Sequence, residues 1–461
     1  MIARLTSPRF AEELRATSRL AGPLALAHLA QIGMGLTDTV MLGALGRDAL
    51  AAGGLGAGLF FTLTTVLQGL VMGVSILVSH ARGGNRPEKI APLLQAGFVL
   101  ATLTAVPVMV LLWKIEPLLL ALGEPPRLAE EVAGYVRILL FAAPAALWLT
   151  VQRSYLAAMG KTRLVMAVAL AALVVNGLLN YGLMHGKFGL PEMGYVGSST
   201  ATFIALWGMT AATAVAMHRA QPRSTDAGAA EPGPIRWPIP WRVVGELVAL
   251  GWPIAITMGV ELMLFLVGAL MMGLLGATAL AAHQVALSVA STTFMVPLAV
   301  AQAANVRVGF HMGAGAPHAA QRAASAAFLL GVGFMALAAA AMLAFPRAIA
   351  LLFSLDPGNE ADAEVIALVV RLLAICAFFQ VFDGAQTIAA GALRGLKDTR
   401  VPALLAGLSY WAVGFPVAWV LAFPMAWGPI GIWWGLAVGL AAAAVVLNWR
   451  FWRLSALATA G

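Results

Sequence analysis

Apolar runs of membrane length follow one another along the whole chain. A helix rises about 1.5 Å per residue, so about 20 apolar residues cross a hydrocarbon core of roughly 30 Å. Runs of at least this length alternate with short polar stretches and with stretches rich in Gly and Pro. The pattern predicts twelve transmembrane helices, at 18–43, 51–79, 91–113, 131–157, 164–186, 195–217, 246–272, 280–307, 321–344, 364–390, 401–423 and 429–449.

The pattern also repeats within the chain. Adding 230 to the residue number brings Pro23 onto Pro253 and Gly46 onto Gly276 without a gap. Coincident Pro and Gly at one fixed offset are rare by chance, so we interpret the chain as two homologous halves of six helices each. Because six is even, both halves enter the membrane in the same orientation. The predicted fold is an all-α polytopic membrane protein with two parallel, pseudo-symmetric six-helix bundles.

A polar segment separates the halves. It reads HRAQPRSTDAGAAEPGPIRWPIPW, and its Pro, Gly and charged residues break a helix and favour contact with water. We therefore predict an N-terminal six-helix bundle at 1–220, a cytoplasmic linker at 221–243 and a C-terminal six-helix bundle at 244–461.

Composition and charge agree with this interpretation. Hydrophobic residues make up 61% of the chain, charged residues 10%, and the mean hydropathy is +0.89, which excludes a soluble globular protein. Most Lys and Arg residues fall on the side that holds both termini, which predicts cytoplasmic termini. The net charge of +8 is thereby explained by topology, and no nucleic-acid partner is expected. The other side collects acidic residues, namely Glu116, Glu124, Glu130, Glu131, Asp356, Glu360, Asp362 and Glu364.

Motifs of soluble enzymes are missing from the sequence. It has no Walker loop, no HExxH and no CxxC, and its seven histidines lack metal-ligand spacing. The single cysteine, Cys376, cannot form an internal disulfide. We expect neither an enzyme nor a bound cofactor, and no removable signal peptide.

Three acidic residues lie well inside predicted spans: Asp38, Glu261 and Asp383. A carboxylate is costly in hydrocarbon, so each of them predicts an ion, proton or substrate site. Two structural alternatives stay open, since Asp38 is near enough to its helix end to reach water and Asp383 could pair with Arg394. In the repeat, Gln31 stands opposite Glu261 and Gly268 opposite Asp38, so the halves differ in charge.

Uncharged polar residues also occur within the spans. Asn176 and Asn180 are one helical turn apart, so their amides share a face. They are candidates for a site or, alternatively, for hydrogen bonds between helices. Further amides could line a cavity or bridge helices, namely Gln31, Gln68, Gln284, Asn305, Gln380 and Gln386.

Several longer stretches resemble a known family. LTDTVMLGALG, NGLLNYGLMHGKFG, GWPIAITMGVE, GATALAAHQVAL and FDGAQTIAAGALRGLKDTR are similar to the multidrug and toxic compound extrusion (MATE) transporters, in particular the NorM-like bacterial branch. The resemblance covers nearly the whole chain. It implies two six-helix bundles around a central cleft in the bacterial inner membrane. It also implies export of lipophilic organic cations in exchange for H⁺ or Na⁺.

The resemblance also implies site residues. The family's acidic residues in helices one, seven and ten fall on Asp38, Glu261 and Asp383, and its helix-five asparagines fall on Asn176 and Asn180. Na⁺ could then bind at Glu261 and Asp383, or at Asp38 and Asn180. This chain departs from some Na⁺-linked relatives, which carry a Tyr where it has Phe379. A phenyl ring has no oxygen to give, which favours proton coupling.

Three other functions remain as alternatives. A flippase for a lipid-linked saccharide should have a cationic site for pyrophosphate, whereas the embedded charges here are mostly acidic. A major-facilitator carrier should have an acidic signature in its second loop, which HARGGNRPEK lacks. A channel or an intramembrane enzyme should have a filter-like loop or a catalytic cluster. We therefore predict a monomeric antiporter that contacts only lipid and small organic cations.

Overall fold

The computed structural model describes residues 7–219, 238–353 and 355–460, and these residues form twelve helices long and apolar enough to cross a membrane. The predicted number of spans is therefore confirmed. Two short helices, Ile115–Ala121 and Pro346–Leu351, follow the third and ninth spans. The membrane-length helices are α1 (Pro8–Leu45), α2 (Arg47–Gly83), α3 (Pro87–Trp113), α4 (Pro126–Ala158), α5 (Thr162–His185), α6 (Val196–Arg219), α7 (Trp241–Leu274), α8 (Ala277–Gly313), α9 (Pro317–Ala344), α10 (Glu360–Gly395), α11 (Arg400–Ala422) and α12 (Pro429–Ala460).

Several helices are longer than their apolar runs. α1 begins at Pro8 and α8 continues to Gly313, whereas the predicted spans begin at 18 and end at 307. Each extension carries a charged or ionisable side chain that bonds to the other, Glu13 on α1 and His311 on α8. Apolar length thus indicates the part of a helix that suits hydrocarbon and underestimates the helix itself.

The chain divides into two compact units. The first unit is Leu26–Ala255, and the second unit combines Met1–Ala25 with Ile256–Gly461. The division falls within α1 and within α7, close to Pro23 and Pro253, the equivalent prolines of the repeat. The bundles proposed at 1–220 and 244–461 stay a prediction. Most of the predicted linker, at 220–237, lies outside the described residues.

In the first unit, the start of α7 packs on α2 through glycines. A Cβ atom on Gly251 would clash with the carbonyl oxygen of Leu70, and one on Gly69 would lie 2.7 Å from the Cα of Ala255. Both of these contacts would be closer than real Cβ atoms tolerate. Glycine is therefore required here for the two backbones to approach.

In the second unit, large aromatic residues fill the space between α10, α11 and α12. Trp433, Tyr410 and Phe379 are among the largest fully buried side chains. Tyr410 belongs to a π-helical turn, Ser409–Gly414, within α11. Such turns are rare and often occur at functional sites.

The start of α1 is held to α8 by an ion pair within the second unit. Arg307 Nη2 lies 2.7 Å from Glu13 Oε2, and His311 Nε2 lies 2.8 Å from Glu13 Oε1. These side chains are 10–22% exposed, so the cluster is largely buried. The halves differ here as well, because the positions 230 residues away are apolar: Val243, Leu77 and Ala81.

Candidate ion and substrate sites

In the first unit, Asp38 of α1 is bonded on both carboxylate oxygens. Asn180 of α5 donates from Nδ2 to Oδ1 over 2.6 Å, and Thr202 of α6 donates from Oγ1 to Oδ2 over 3.1 Å. Asp38 is partly buried. It is thus held by specific donors from two other helices, which a carboxylate that only reaches water would not need.

The two helix-five asparagines complete this first site. Asn176 and Asn180 are fully buried, and Asn180 Nδ2 lies 3.2 Å from Asn176 Oδ1. The Oδ1 of Asn180 and the Nδ2 of Asn176 have no hydrogen-bond partner among the described residues. A buried carbonyl oxygen without a partner usually has an unseen ligand or a functional role. Next to a carboxylate, it is a suitable ligand for a cation.

In the second unit, one amide joins two carboxylates. Gln386 Nε2 on α10 lies 3.2 Å from Asp383 Oδ1 and 3.4 Å from Glu261 Oε1 on α7. The same nitrogen lies 3.2 Å from the Thr387 hydroxyl, and Tyr410 donates to Gln386 Oε1 over 3.0 Å. An amide nitrogen carries two hydrogens, so it cannot serve all three acceptors at once. Two hydrogens suffice for one bond to each carboxylate, so Gln386 links Glu261 to Asp383.

The surroundings of this second site are apolar and aromatic. Asp383 is only 4% exposed. Phe379, one turn earlier on α10, packs edge-on against Phe265 and Trp433, with ring centroids 6.2 and 5.7 Å apart. Neither ring supplies an oxygen ligand.

The suggested pairing of Asp383 with Arg394 is not an observed contact. The ion pairs within the described part of the second unit join Arg307 and His311 to Glu13, and Arg450 to Asp398, and none of them joins Arg394 to Asp383. Asp383 therefore depends on the Gln386 amide for its hydrogen bond.

Every candidate residue thus falls in one of two clusters, Asp38 with Asn176 and Asn180 in the first unit, and Glu261 with Asp383 in the second. Sequence reasoning missed two partners, Thr202 and Tyr410. Tyr410 is one of only five tyrosines and lies inside an apolar span, which was a usable signal. Thr202 follows a run of hydroxyl residues that helices often bond internally, so its sequence context was uninformative.

Neither cluster resembles a tight metal centre. In the described ranges 7–219, 238–353 and 355–460, no group of three or more His, Cys, Asp or Glu side chains could hold a metal ion. A cation at either site would depend on one or two carboxylates together with amide or hydroxyl oxygens. Such a ligand set suits an ion that must also leave.

Comparison with known proteins gives consistent results. The MatE family model matches residues 23–182 and 253–420, and the two starts differ by 230, the offset of the repeat. A probable multidrug resistance protein NorM of Burkholderia mallei is 50% identical over 97% of this chain and 94% of its own length. The multidrug resistance protein NorM of Burkholderia vietnamiensis is 48% identical over 94% of this chain and 93% of its own length.

Solved structures share the fold. A crystal structure of a eukaryotic MATE transporter superimposes with a TM-score of 0.85 at 22% identity, covering 98% of this chain and 99% of that one. The outward-facing conformation of a multidrug resistance MATE family transporter gives a TM-score of 0.84 at 19% identity, with 96% of both chains covered.

Twelve membrane-length helices among the described residues, together with the family match over both halves and the curated relatives, define a multi-pass membrane transporter. The match of the family model to both halves, and identities near 50% over almost the full length, settle the relationship. The chain belongs to the MatE family.

Proposed function

We propose that this multidrug efflux transporter is a secondary antiporter in which the carboxylate pair Glu261 and Asp383 couples export of a cationic drug to entry of a proton. One observation carries the proposal, namely the single Gln386 amide shared by the two carboxylates. Two negative charges in an apolar setting favour a positive partner, either a proton or the charged group of a drug.

The shared amide provides a mechanism of exchange. When a proton binds one carboxylate, that group becomes neutral and Gln386 can direct its hydrogens to the other. When a drug cation binds, both carboxylates are needed as anions. Each ligand therefore opposes the other, and coupling requires that each also favours a different one of two conformations.

A proton suits the second-unit site better than Na⁺. Sodium prefers several oxygen ligands, whereas a proton needs one carboxylate. The turn that precedes Asp383 presents Phe379, which has no oxygen, against two further aromatic rings. Sodium would fit the first-unit site better, because Asp38 and the unpartnered Oδ1 of Asn180 supply oxygens there. We therefore place any Na⁺ binding at Asp38, Asn176 and Asn180, and proton coupling at Glu261 and Asp383.

The substrates proposed are lipophilic organic cations. Apolar side chains take the organic body and a carboxylate takes the charge, as in other sites for amphipathic ligands. The excess of Arg and Lys on one set of loops supports cytoplasmic termini in a bacterial inner membrane. The protein would act there as a monomer surrounded by lipid.

The coupling ion can be tested in proteoliposomes that contain a fluorescent cationic dye. We expect a pH gradient alone, without Na⁺, to drive dye movement against its concentration gradient. Transport that requires a Na⁺ gradient at constant pH would contradict proton coupling. Liposomes without protein, under the same two gradients, control for passive dye redistribution.

A further inference from the structure

The C-terminal end of α12 carries an exposed face of tryptophan and arginine. Trp449 lies about 20 residues after the helix begins at Pro429, which is about 30 Å along its axis and so the thickness of a hydrocarbon core. Residues from Trp449 onward therefore lie at the level of the lipid headgroups. Trp449, Trp452 and Arg453 are all exposed there. Tryptophan is common at this depth, because its ring suits lipid and its N–H suits a polar partner.

The side chains of this face have a defined geometry. The Cζ of Arg453 lies 5.2 Å from the centroid of the Trp449 ring, a distance at which a cation and an aromatic face attract each other. Trp452 packs against Phe328 of α9 and against Phe451, with ring centroids 6.1 and 5.1 Å apart. Phe451 is fully buried, so the exposed face is attached to the packed interior.

The polar groups of this face have no partner within the described part of the chain. Arg450 pairs with Asp398, whereas Arg453 pairs with no carboxylate of residues 7–219, 238–353 or 355–460. The indole N–H groups of Trp449 and Trp452 likewise donate to no described residue. A guanidinium carries five N–H donors, and stacking on a ring uses none of them. The face thus offers several donors to an anion with several oxygens.

The neighbouring charges also favour an anion. Lys397 and Arg400 flank Asp398 and are exposed. Asp398 is already bonded to Arg450, so it does not offset the charge of Arg453. A zwitterionic headgroup would bring its ammonium into this positive surrounding, whereas an anionic headgroup brings only negative charge. The surrounding charge therefore selects against phosphatidylethanolamine and for an anionic phospholipid.

We propose that Trp449, Trp452 and Arg453 form a binding site for an anionic phospholipid, with the lipid phosphate at Arg453 and an acyl chain along the exposed side of α12. That side continues to Val445, one turn before Trp449, which is 64% exposed and apolar. Basic sites on the cytoplasmic side of membrane helices suit such lipids, and the topology proposed above places the end of α12 on that side. The inference goes beyond drug export, because it uses neither acidic site.

Purified protein in detergent, offered equal amounts of dioleoyl phosphatidylglycerol and dioleoyl phosphatidylethanolamine, provides the test. The two lipids share their acyl chains and their phosphate, and they differ in the charge of the headgroup. Native mass spectrometry measures the ratio of bound phosphatidylglycerol to bound phosphatidylethanolamine. The proteins compared are the unchanged chain, Arg453→Gln, Trp449→Leu, Trp449→Phe and Arg242→Gln. Arg242 is the matched control, because it is a 95% exposed arginine at the start of α7, on the same side in the proposed topology.

We expect the unchanged protein to prefer phosphatidylglycerol and Arg453→Gln to lower the ratio about fivefold, the effect of one cation near an anionic lipid surface. Arg242→Gln should leave the ratio unchanged, since its side chain lies in water. Trp449→Leu should lower the ratio although every charge is kept, because it removes the ring beneath the guanidinium. Trp449→Phe should restore most of the ratio, since it keeps an aromatic face there.

An unchanged ratio in Arg453→Gln would overturn the proposal. An equal fall in Arg242→Gln would also overturn it, since the preference would then be a general attraction to positive charge. Glycerophosphoglycerol, the same headgroup without acyl chains, serves as a competitor and should not displace the lipid. Displacement at equal concentration would show that the ligand is a soluble anion and not a lipid. Binding is measured without a drug or an ion gradient, so the outcome is independent of the efflux function.

Discussion

At the scale of single residues, the sequence shows which acidic residues lie inside the spans, but it does not show which residues bond to them. Asp38, Glu261 and Asp383 stand out because a carboxylate within an apolar run is rare. Gln386 was one of several amides within the spans, and Tyr410 was a tyrosine inside an apolar span, but their bonding partners were not evident, since amides and hydroxyls commonly bridge membrane helices. Thr202 did not stand out among neighbouring hydroxyl residues. The structure was therefore needed to show that the Gln386 amide is shared by Glu261 and Asp383.

We expect Glu261→Gln and Asp383→Asn each to abolish exchange of a drug cation for protons. Each change removes a charge and almost no volume, and a buried acid without an ion-pair partner contributes little to stability. Dye export by proteoliposomes measures the first effect, and the yield of monodisperse protein measures the second. Full export by both variants would exclude these residues from coupling.

The ion pair at the start of α1 should affect stability. Glu13→Gln leaves Arg307 largely buried without its carboxylate, which we expect to cost about 2–3 kcal/mol, somewhat less than the loss of a partner from a fully buried pair. Thermal unfolding in detergent measures the change. Glu131→Gln is the matched control, because it breaks a pair whose Arg127 is 77% exposed and should have a much smaller effect. Equal effects of the two changes would exclude a stabilising role of the cluster.

At the scale of helices, close backbone approach decides where α7 can lie. Apolar composition predicted the α7 span, but it could not predict that the start of this helix packs on α2. Gly251 and Gly69 allow this packing. Glycines are so frequent in membrane helices, however, that the sequence did not distinguish these two from the others.

Gly251→Ala should therefore destabilise the protein. The added Cβ atom would overlap the carbonyl oxygen of Leu70, and overpacking of this kind costs about 1–3 kcal/mol. Gly245→Ala on the same helix is the control, since a Cβ there has no neighbour within 4 Å. Comparable melting temperatures for the two variants would show that the close approach of α2 and α7 does not contribute to stability.

At the scale of the whole molecule, the compact units do not follow the halves of the sequence. The first part of α1 belongs to the second unit, and the first part of α7 belongs to the first. The repeat correctly indicated two related halves, and the number of spans followed from apolar length. Which half each helix segment packs with could not be predicted, because a repeat identifies equivalent positions and not their contacts.

Expression of the chain as two fragments, cut between α6 and α7, tests whether each half of the sequence contributes a helix segment to the other unit. Fragments 1–219 and 238–461 would each lack a helix segment that completes one unit, so we expect neither to give a monodisperse protein when expressed alone. Co-expression should restore both folding and dye export, because the missing segments are then supplied by the other fragment. A fragment that is stable and monodisperse alone would contradict the division.

The π-helical turn of α11 has an evolutionary consequence. A π turn holds about one residue more than an α turn, so deletion of a single codon within Ser409–Gly414 would leave an ordinary helix. Residues beyond such a deletion would keep their phase relative to those before it, because the wider turn accommodates the extra residue. Gly414 and Ala418 would then still meet Gly439 and Gly435 of α12 at backbone distance. A deletion elsewhere in α11 would instead rotate the residues that follow it by about 100°. Among descendants of this gene, loss of one residue from Ser409–Val413 should therefore persist more often than loss of a residue elsewhere in α11.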